Sequence, residues 1–273
     1  MIKSQTDIVI VGAGPVGLYR AGLLIQTGFS CRILEKKSTI DIHSKSLGIH
    51  PVSLELFEEA GIITPFLENG LKIKKGIAFW NRKKIGEITF DRCPKPYDYI
   101  LSLPQWKTEQ ILEEWVLSMD PNALIRTAEV TTFEEHQSEV TVNFKKGDQE
   151  FQISSKFLVG CDGKNSIIRE RLQIPFEGSP YPDSYIMGDF IDNTSFESDA
   201  AVYLHKEGLI ESFPLPNGHR RWVAKTDTFI ENPEPSFLKN LIHKRLGHSI
   251  EECDHFMISS FGVQHLLAKS FHS

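Results

Sequence analysis

The chain has 273 residues, of which 40% are hydrophobic and 24% charged, with a net charge of −6 and a pI near 5.9. That length allows a full core in one large domain or two interleaved ones, and the composition is that of an ordinary soluble globular protein. The mild acidity excludes an overall nucleic-acid footprint, and no window approaches the ~18 consecutive apolar residues of a membrane span. The apolar N-terminus is not a signal peptide, because its glycines fall early and Asp7 and Arg20 interrupt it. Four cysteines (Cys31, Cys93, Cys161 and Cys253) are far apart without C-x-x-C spacing, as expected of reduced thiols in a cytoplasmic protein.

Ile8-Val9-Ile10-Val11 predicts a short buried strand, followed by a helix from about Pro15 to Thr27 that Gly28 closes. Ser30 to Glu35 is a second strand, parallel to the first by the crossover rule. A second helix is expected from Pro51 to Ala60, and residues 71–91 alternate weakly, as in a hairpin turning near Asn81-Arg82-Lys83. A third helix covers about Gln105 to Leu117, with Thr108, Ile111, Leu112, Trp115 and Val116 on one face. Leu124 to Val159 predicts three successive strands, with Phe157 to Gly160 returning as a buried strand before a helix through Ile167, Ile168 and Leu172. Proline density from Pro175 to Pro182 marks a crossing between domains. Beyond it Tyr185–Ile191, Ala201–Phe213 and Arg220–Lys225 are strand-like, and a helix runs from about Ser236 to Leu246.

Two motifs carry chemistry. Gly12-Ala13-Gly14-Pro15-Val16-Gly17 lies between the first strand and helix. In such a loop the first glycine permits the tight turn, the second lets backbone approach a pyrophosphate, and the third lets helix pack on strand. The helix N-terminus then offers N–H groups and partial positive charge to the anion. Glu35, followed by Lys36, stands at the end of the second strand, near the spacing of about 20 residues expected of a ribose-binding carboxylate. Far downstream, Phe157-Leu158-Val159-Gly160-Cys161-Asp162-Gly163 repeats the strand-then-turn theme. Together they point to a flavin or nicotinamide dinucleotide. The ten histidines are scattered, and His248, Cys253 and His255 come nearest to metal spacing without a fourth ligand, so no metal site is expected. The basic cluster from Lys72 to Lys84 is most simply a solvated hairpin face, the alternative being attraction of an NADPH phosphate.

Four stretches (Ile8–Gly28, Ser44–Gly61, Leu103–Leu112 and Phe157–Gly178) make the chain resemble the single-component flavoprotein aromatic hydroxylases, the p-hydroxybenzoate and phenol hydroxylase type. The strongest is Cys161-Asp162-Gly163-Lys164-Asn165-Ser166-Ile167-Ile168-Arg169. The resemblance implies an α/β (α+β) fold. A Rossmann-like FAD-binding domain with a three-stranded β-meander would span residues 1–70 and 101–178. An interleaved, mostly antiparallel β-sheet substrate domain would span 71–100 and 179–273. It implies that Asp162 and Gly163 meet FAD, that Gln105 in Leu103-Pro104-Gln105-Trp106 touches the flavin or is an ordinary helix-start residue, and that the Val130 backbone meets the adenine. Arg221 resembles an arginine near the flavin ring, the alternative being an ordinary exposed strand residue. The implied reaction is hydroxylation of an aromatic small molecule with NAD(P)H and O2 through a flavin C4a-hydroperoxide. The alternatives are another FAD oxidoreductase of this fold, a reductase or halogenase, and a non-catalytic fragment.

Three departures stand out. Lys45, in Ser44-Lys45-Ser46-Leu47-Gly48, replaces the family's usual arginine, giving a phosphate a point charge without the bidentate fork. Arg20 sits mid-helix at an apolar position, where it is expected either to snorkel to the surface or to loosen the packing slightly. No Gly-Asp-Ala-Ala-His strand end follows: Gly147-Asp148 lies in a hairpin turn and Gly188-Asp189 in the second domain. The expectation is a C-terminally truncated chain lacking the last strand and helix of the FAD domain, prone to aggregate or to form a homodimer.

Overall fold

The computed structural model describes residues 5–42, 46–250 and 257–271. In chain order its elements begin β1 (Gln5–Val11), α1 (Pro15–Gln26), β2 (Cys31–Glu35), β3 (Gly48–Ile49), α2 (Pro51–Glu59), α3 (Ile63–Asn69), β4 (Leu71–Ile73), β5 (Lys75–Trp80), β6 (Lys83–Thr89) and β7 (Ile100–Ser102). They continue with α4 (Gln105–Met119), β8 (Leu124–Arg126), β9 (Glu129–Glu135), β10 (Val140–Lys146), β11 (Gln149–Gly160) and α5 (Ile167–Arg171). The last are β12 (Phe176–Ile191), β13 (Ala200–Leu204), β14 (Ile210–Leu215), β15 (His219–Thr226), α6 (Pro235–Leu246) and β16 (Met257–Ala268). Two compact units result, one of Met1–Asp41, Trp106–Glu177 and Leu267–Ser273, the other of Ile42–Gln105 and Gly178–Leu266.

The first unit holds a six-stranded sheet in the order β8-β2-β1-β11-β10-β9. Strands β8, β2, β1 and β11 are mutually parallel, and β11, β10 and β9 form an antiparallel meander. The β-branched run of β1 is buried throughout, as a strand covered on both faces must be. α1 starts on Pro15, whose fixed φ and missing N–H suit a first turn, and the chain leaves it through Gly28 at φ +91°. It lies flush on α4: a Cβ at Gly22 would sit 2.0 Å from the Trp115 ring. Arg20 is exposed, so its side chain reaches water as expected. Val9, Val11, Leu34, Val130, Val142, Phe144, Ile153 and Ile168 build the core of the meander side. Phe157 departs from expectation. It is 64% exposed rather than buried, and 157–160 is no separate strand but the end of the twelve-residue β11.

The second unit carries a seven-stranded sheet, β16-β12-β15-β14-β13-β5-β6, antiparallel except between β13 and β5. Leu238 and Ile242 of α6 cover one face, against Ile186, Phe190, Ile210, Trp222 and Ala224. The other carries Met187 and Val223 with Tyr185, Phe213 and Phe261 packed around them. The β5–β6 turn places Asn81 and Arg82 at φ 44° and 66°, as a two-residue hairpin loop requires. Residues 42–70 cluster with this unit, because β3 and β4 both pair with β7 and Ser102 Oγ donates to Pro214 O at 2.6 Å. The proline-dense stretch does hold the crossing between the units, at Glu177–Gly178, and it is extended chain: β12 runs through Pro180 and Pro182.

Candidate cofactor site

The site begins where β1 ends. Gly12 takes φ +102°, and a Cβ there would lie 2.4 Å from Cys161 O, so the loop presses on the turn that follows β11. A Cβ at Gly17 would lie 2.0 Å from Gly12 O, so α1 packs on the loop only with glycine there. Gly14 is different in kind. Its φ of −74° is open to any residue, and nothing lies within 4 Å of where its Cβ would stand. Two glycines are therefore required by the fold, while the third leaves space at the mouth of the loop. That space adjoins the start of α1, which has no side-chain cap and no acidic residue in its first turn. Leu18 N–H already donates to Gly14 O and Pro15 has no N–H, so Val16 and Gly17 carry the amides without an intrahelical acceptor. An uncapped helix start with an open approach suits an anion.

Glu35 closes one side. Its carboxylate accepts from Ala13 N–H and from Lys37 N–H, both at 2.8 Å, which fixes it against the glycine loop at the end of β2. Lys36 beside it is exposed. The carbonyl of Glu35 accepts from Ala128 N–H at 2.9 Å, bringing the start of β9 alongside. Val130 follows two residues later, its side chain in the core.

The parallel pairing of β1 with β11 brings in the second motif. Val11 is opposite Gly160, and Cys161 N–H donates to Val11 O at 2.8 Å. Asp162 follows at once, its Oδ2 accepting from Ile168 N–H at 3.3 Å, and Gly163 turns at φ +79° with open space around it. Ser166 caps α5 by accepting from Arg169 N–H at 3.0 Å. The Arg169 guanidinium donates to Lys164 O and lies 4.0 Å over the Phe176 ring, holding the turn in shape. Burial raises the pKa of the Cys161 thiol, and that of Cys31 to about 11, so neither is an activated nucleophile.

Lys45 falls outside the described residues, as do Cys253 and His255. Gln105 opens α4 but belongs to the second unit, its N–H donating to Ser46 O at 3.2 Å. Arg221 is not an exposed strand residue. It is 2% exposed and holds Asp189 through two hydrogen bonds, Nε to Oδ1 at 2.7 Å and Nη2 to Oδ2 at 2.8 Å. Asp189, part of a Gly-Asp pair with no role expected from the sequence, is thus the partner of a buried cation. Its neighbour Arg220 is also buried, bonded to Asp192 at 2.8 Å and to the carbonyls of Asp199 and Glu197. In the basic cluster, Lys75 pairs with Asp199 and Lys84 with Glu87. No helix among the described residues is long and apolar enough to cross a membrane.

A family model described as FAD binding domain matches residues 5–273. The chain is 33% identical over 230 residues to a protein of Bacillus subtilis (strain 168) named uncharacterized aromatic compound monooxygenase YhjG, covering 84% of the chain and 45% of that protein. It is 28% identical over 229 residues to the rifampicin monooxygenase of Streptomyces venezuelae, covering 83% of the chain and 47% of that enzyme. The chain thus spans about half the length of these relatives. In fold it matches the crystal structure of p-nitrophenol 4-monooxygenase PnpA from Pseudomonas putida DLL-E4 with a TM-score of 0.88 at 16% identity, over 99% of this chain and 71% of that one.

Proposed function

The chain belongs to the FAD-binding domain family, and on that premise we propose that it is the cofactor-holding and substrate-covering part of an FAD-dependent monooxygenase. The reaction is hydroxylation of an aromatic or related small organic substrate. One atom of O2 enters a C–H bond as hydroxyl, the other leaves as water, and NAD(P)H with a proton supplies the reducing equivalents. The observation that carries this proposal is the contact between Gly12 and Cys161, which joins the glycine loop to the Asp162-Gly163 turn at the ends of two parallel strands.

Bound FAD supplies the redox chemistry that no side chain offers; the chain's residues bind and orient. The space at Gly14 admits a pyrophosphate to the amides of Val16 and Gly17. Glu35, already fixed by Ala13 and Lys37, presents its remaining lone pairs to a ribose hydroxyl. The backbone of Val130 stands for the adenine, and Asp162 with Gly163 for the middle of the dinucleotide. Lys36, Lys45 and Gln105 complete the proposed set. Residues 71–100 and 179–273 would contribute the substrate cover, with Arg221 held in place within it by Asp189. The free Cys31, Cys93 and Cys161 support a cytoplasmic setting.

The test is the absorbance spectrum of the purified chain before and after incubation with FAD, followed by NADPH oxidation with aromatic substrates. Stoichiometric flavin with peaks displaced from those of free FAD is the expected result. Absence of bound flavin contradicts the proposal that this chain holds the cofactor.

A further inference from the structure

Within the second unit a cavity of about 790 Å³ lies among Tyr185, Lys206, Gly208, Leu209, Leu241 and Arg245. Its unusual member is Arg245. The last turn of α6 carries His243, Lys244 and Arg245, and Gly247 ends it in the left-handed region. Lys244 pairs with Glu207, at 2.8 Å. Arg245 turns inward: it is 6% exposed, Nη1 donates to Lys225 O at 2.9 Å, and the buried Nε has no hydrogen-bond partner. No ion pair with it occurs among the described residues. A buried guanidinium without a carboxylate is costly, and burial depresses its pKa while Glu207 and Asp227 act at longer range the other way.

The surroundings favour an anion. Gly208, at φ +121°, lets the β13–β14 turn lie against the guanidinium, where a Cβ would stand 3.2 Å from Nη1. Of the other cations on the lining, Lys225 is paired with Asp183 and Lys244 with Glu207. Lys206 is exposed and makes no ion pair among the described residues. Asp227 is then the one carboxylate of the lining outside those pairs. Tyr185, Leu209 and Leu241 supply apolar wall. A cavity of this size, with a mostly polar lining and a few charges on it, is of small-molecule dimensions.

We propose that this cavity binds a small organic oxyanion, its carboxylate or phosphate group at Arg245 and Lys206 and its apolar body against Leu209, Leu241 and Tyr185. A guanidinium fork and an ammonium are the pair that recognises such a group. The site uses none of the residues assigned to FAD, so it stands or falls separately from the proposed reaction.

The experiment is calorimetric titration of the purified chain with sodium benzoate and with sodium phosphate, each against chloride at matched ionic strength. Saturable one-site binding of at least one probe is expected. Benzoate alone identifies a carboxylate ligand, and phosphate alone a phosphate ester. Arg245→Met should weaken binding about tenfold or more, and Arg245→Lys less, since it keeps the charge without the fork. Lys206→Gln should weaken it about threefold with an unchanged melting temperature, as befits an exposed charge, and decides the matter if Arg245→Met does not fold. Absence of saturable binding by both probes, or unchanged affinity in the folded variants, overturns the proposal.

Discussion

Gly12 and Cys161 are joined so closely that a single methyl group would separate them: a Cβ on Gly12 would fall 2.4 Å from the Cys161 carbonyl oxygen. Two motifs some 150 residues apart thereby form one edge of one site. Gly12→Ala is expected to destabilise the chain by about 1–3 kcal/mol, through this clash and the left-handed φ. Gly17→Ala should cost a similar amount by meeting Gly12 O. Urea denaturation measures both; wild-type stability in either variant would refute the packing described.

Glu35 ties the loop to β2 by accepting two backbone N–H groups. Glu35→Gln keeps one acceptor oxygen but turns an amide NH2 toward the other donor. The expected loss is about 1–2 kcal/mol, with weaker FAD binding. A variant that keeps both stability and flavin affinity would show that the carboxylate serves neither.

The Arg221–Asp189 pair yields a prediction of a different kind. Arg221→Met leaves Asp189 buried beside an apolar chain, at a cost of about 3–5 kcal/mol. Asp189→Leu added to it should recover much of that loss. A double-mutant cycle with no coupling would contradict the bidentate contact.

How much of this was legible in the sequence depends on distance along the chain. The β1–loop–α1–β2 unit was readable because its signals are local: a β-branched run, glycines and proline at fixed offsets, and an obligatory parallel crossover. The contact of Gly12 with Cys161 was not, since it depends on β1 pairing with β11. The clustering of residues 42–70 with the second unit had no local signal, because β3, β4 and β7 are two or three residues long, too short to leave a period. Phe157 opens an apolar run, yet register turns it outward. Burial of Arg221 had no local signal at all. Only its position opposite Asp189 explains it, and register is not written in composition.

His248 gives a pH dependence. It stacks on Trp222 at 5.5 Å, its Nε2 is 2.8 Å from Asn193 Oδ1, and burial, with Arg220 nearby, lowers its pKa against the opposing pull of Asp192. The unfolded chain protonates this imidazole near the ordinary value of 6.5, before the folded chain does. Its contribution is therefore full above about pH 6.5 and declines as pH falls toward the folded-state pKa. His248→Phe keeps the stacking and removes the titration, so urea denaturation from pH 7.5 to 5 should show a shallower decline. Identical slopes would rule out this role.

If the glycine loop is a cradle for the FAD pyrophosphate, Gly14 is the position that shows it, since the fold itself does not require glycine there. The measurement is FAD titration of the wild-type chain and Gly14→Ala, with urea denaturation of both. The expected result for Gly14→Ala is stability within about 1 kcal/mol of wild type and FAD affinity lower by about tenfold or more. Equal FAD affinity in the two proteins would contradict it.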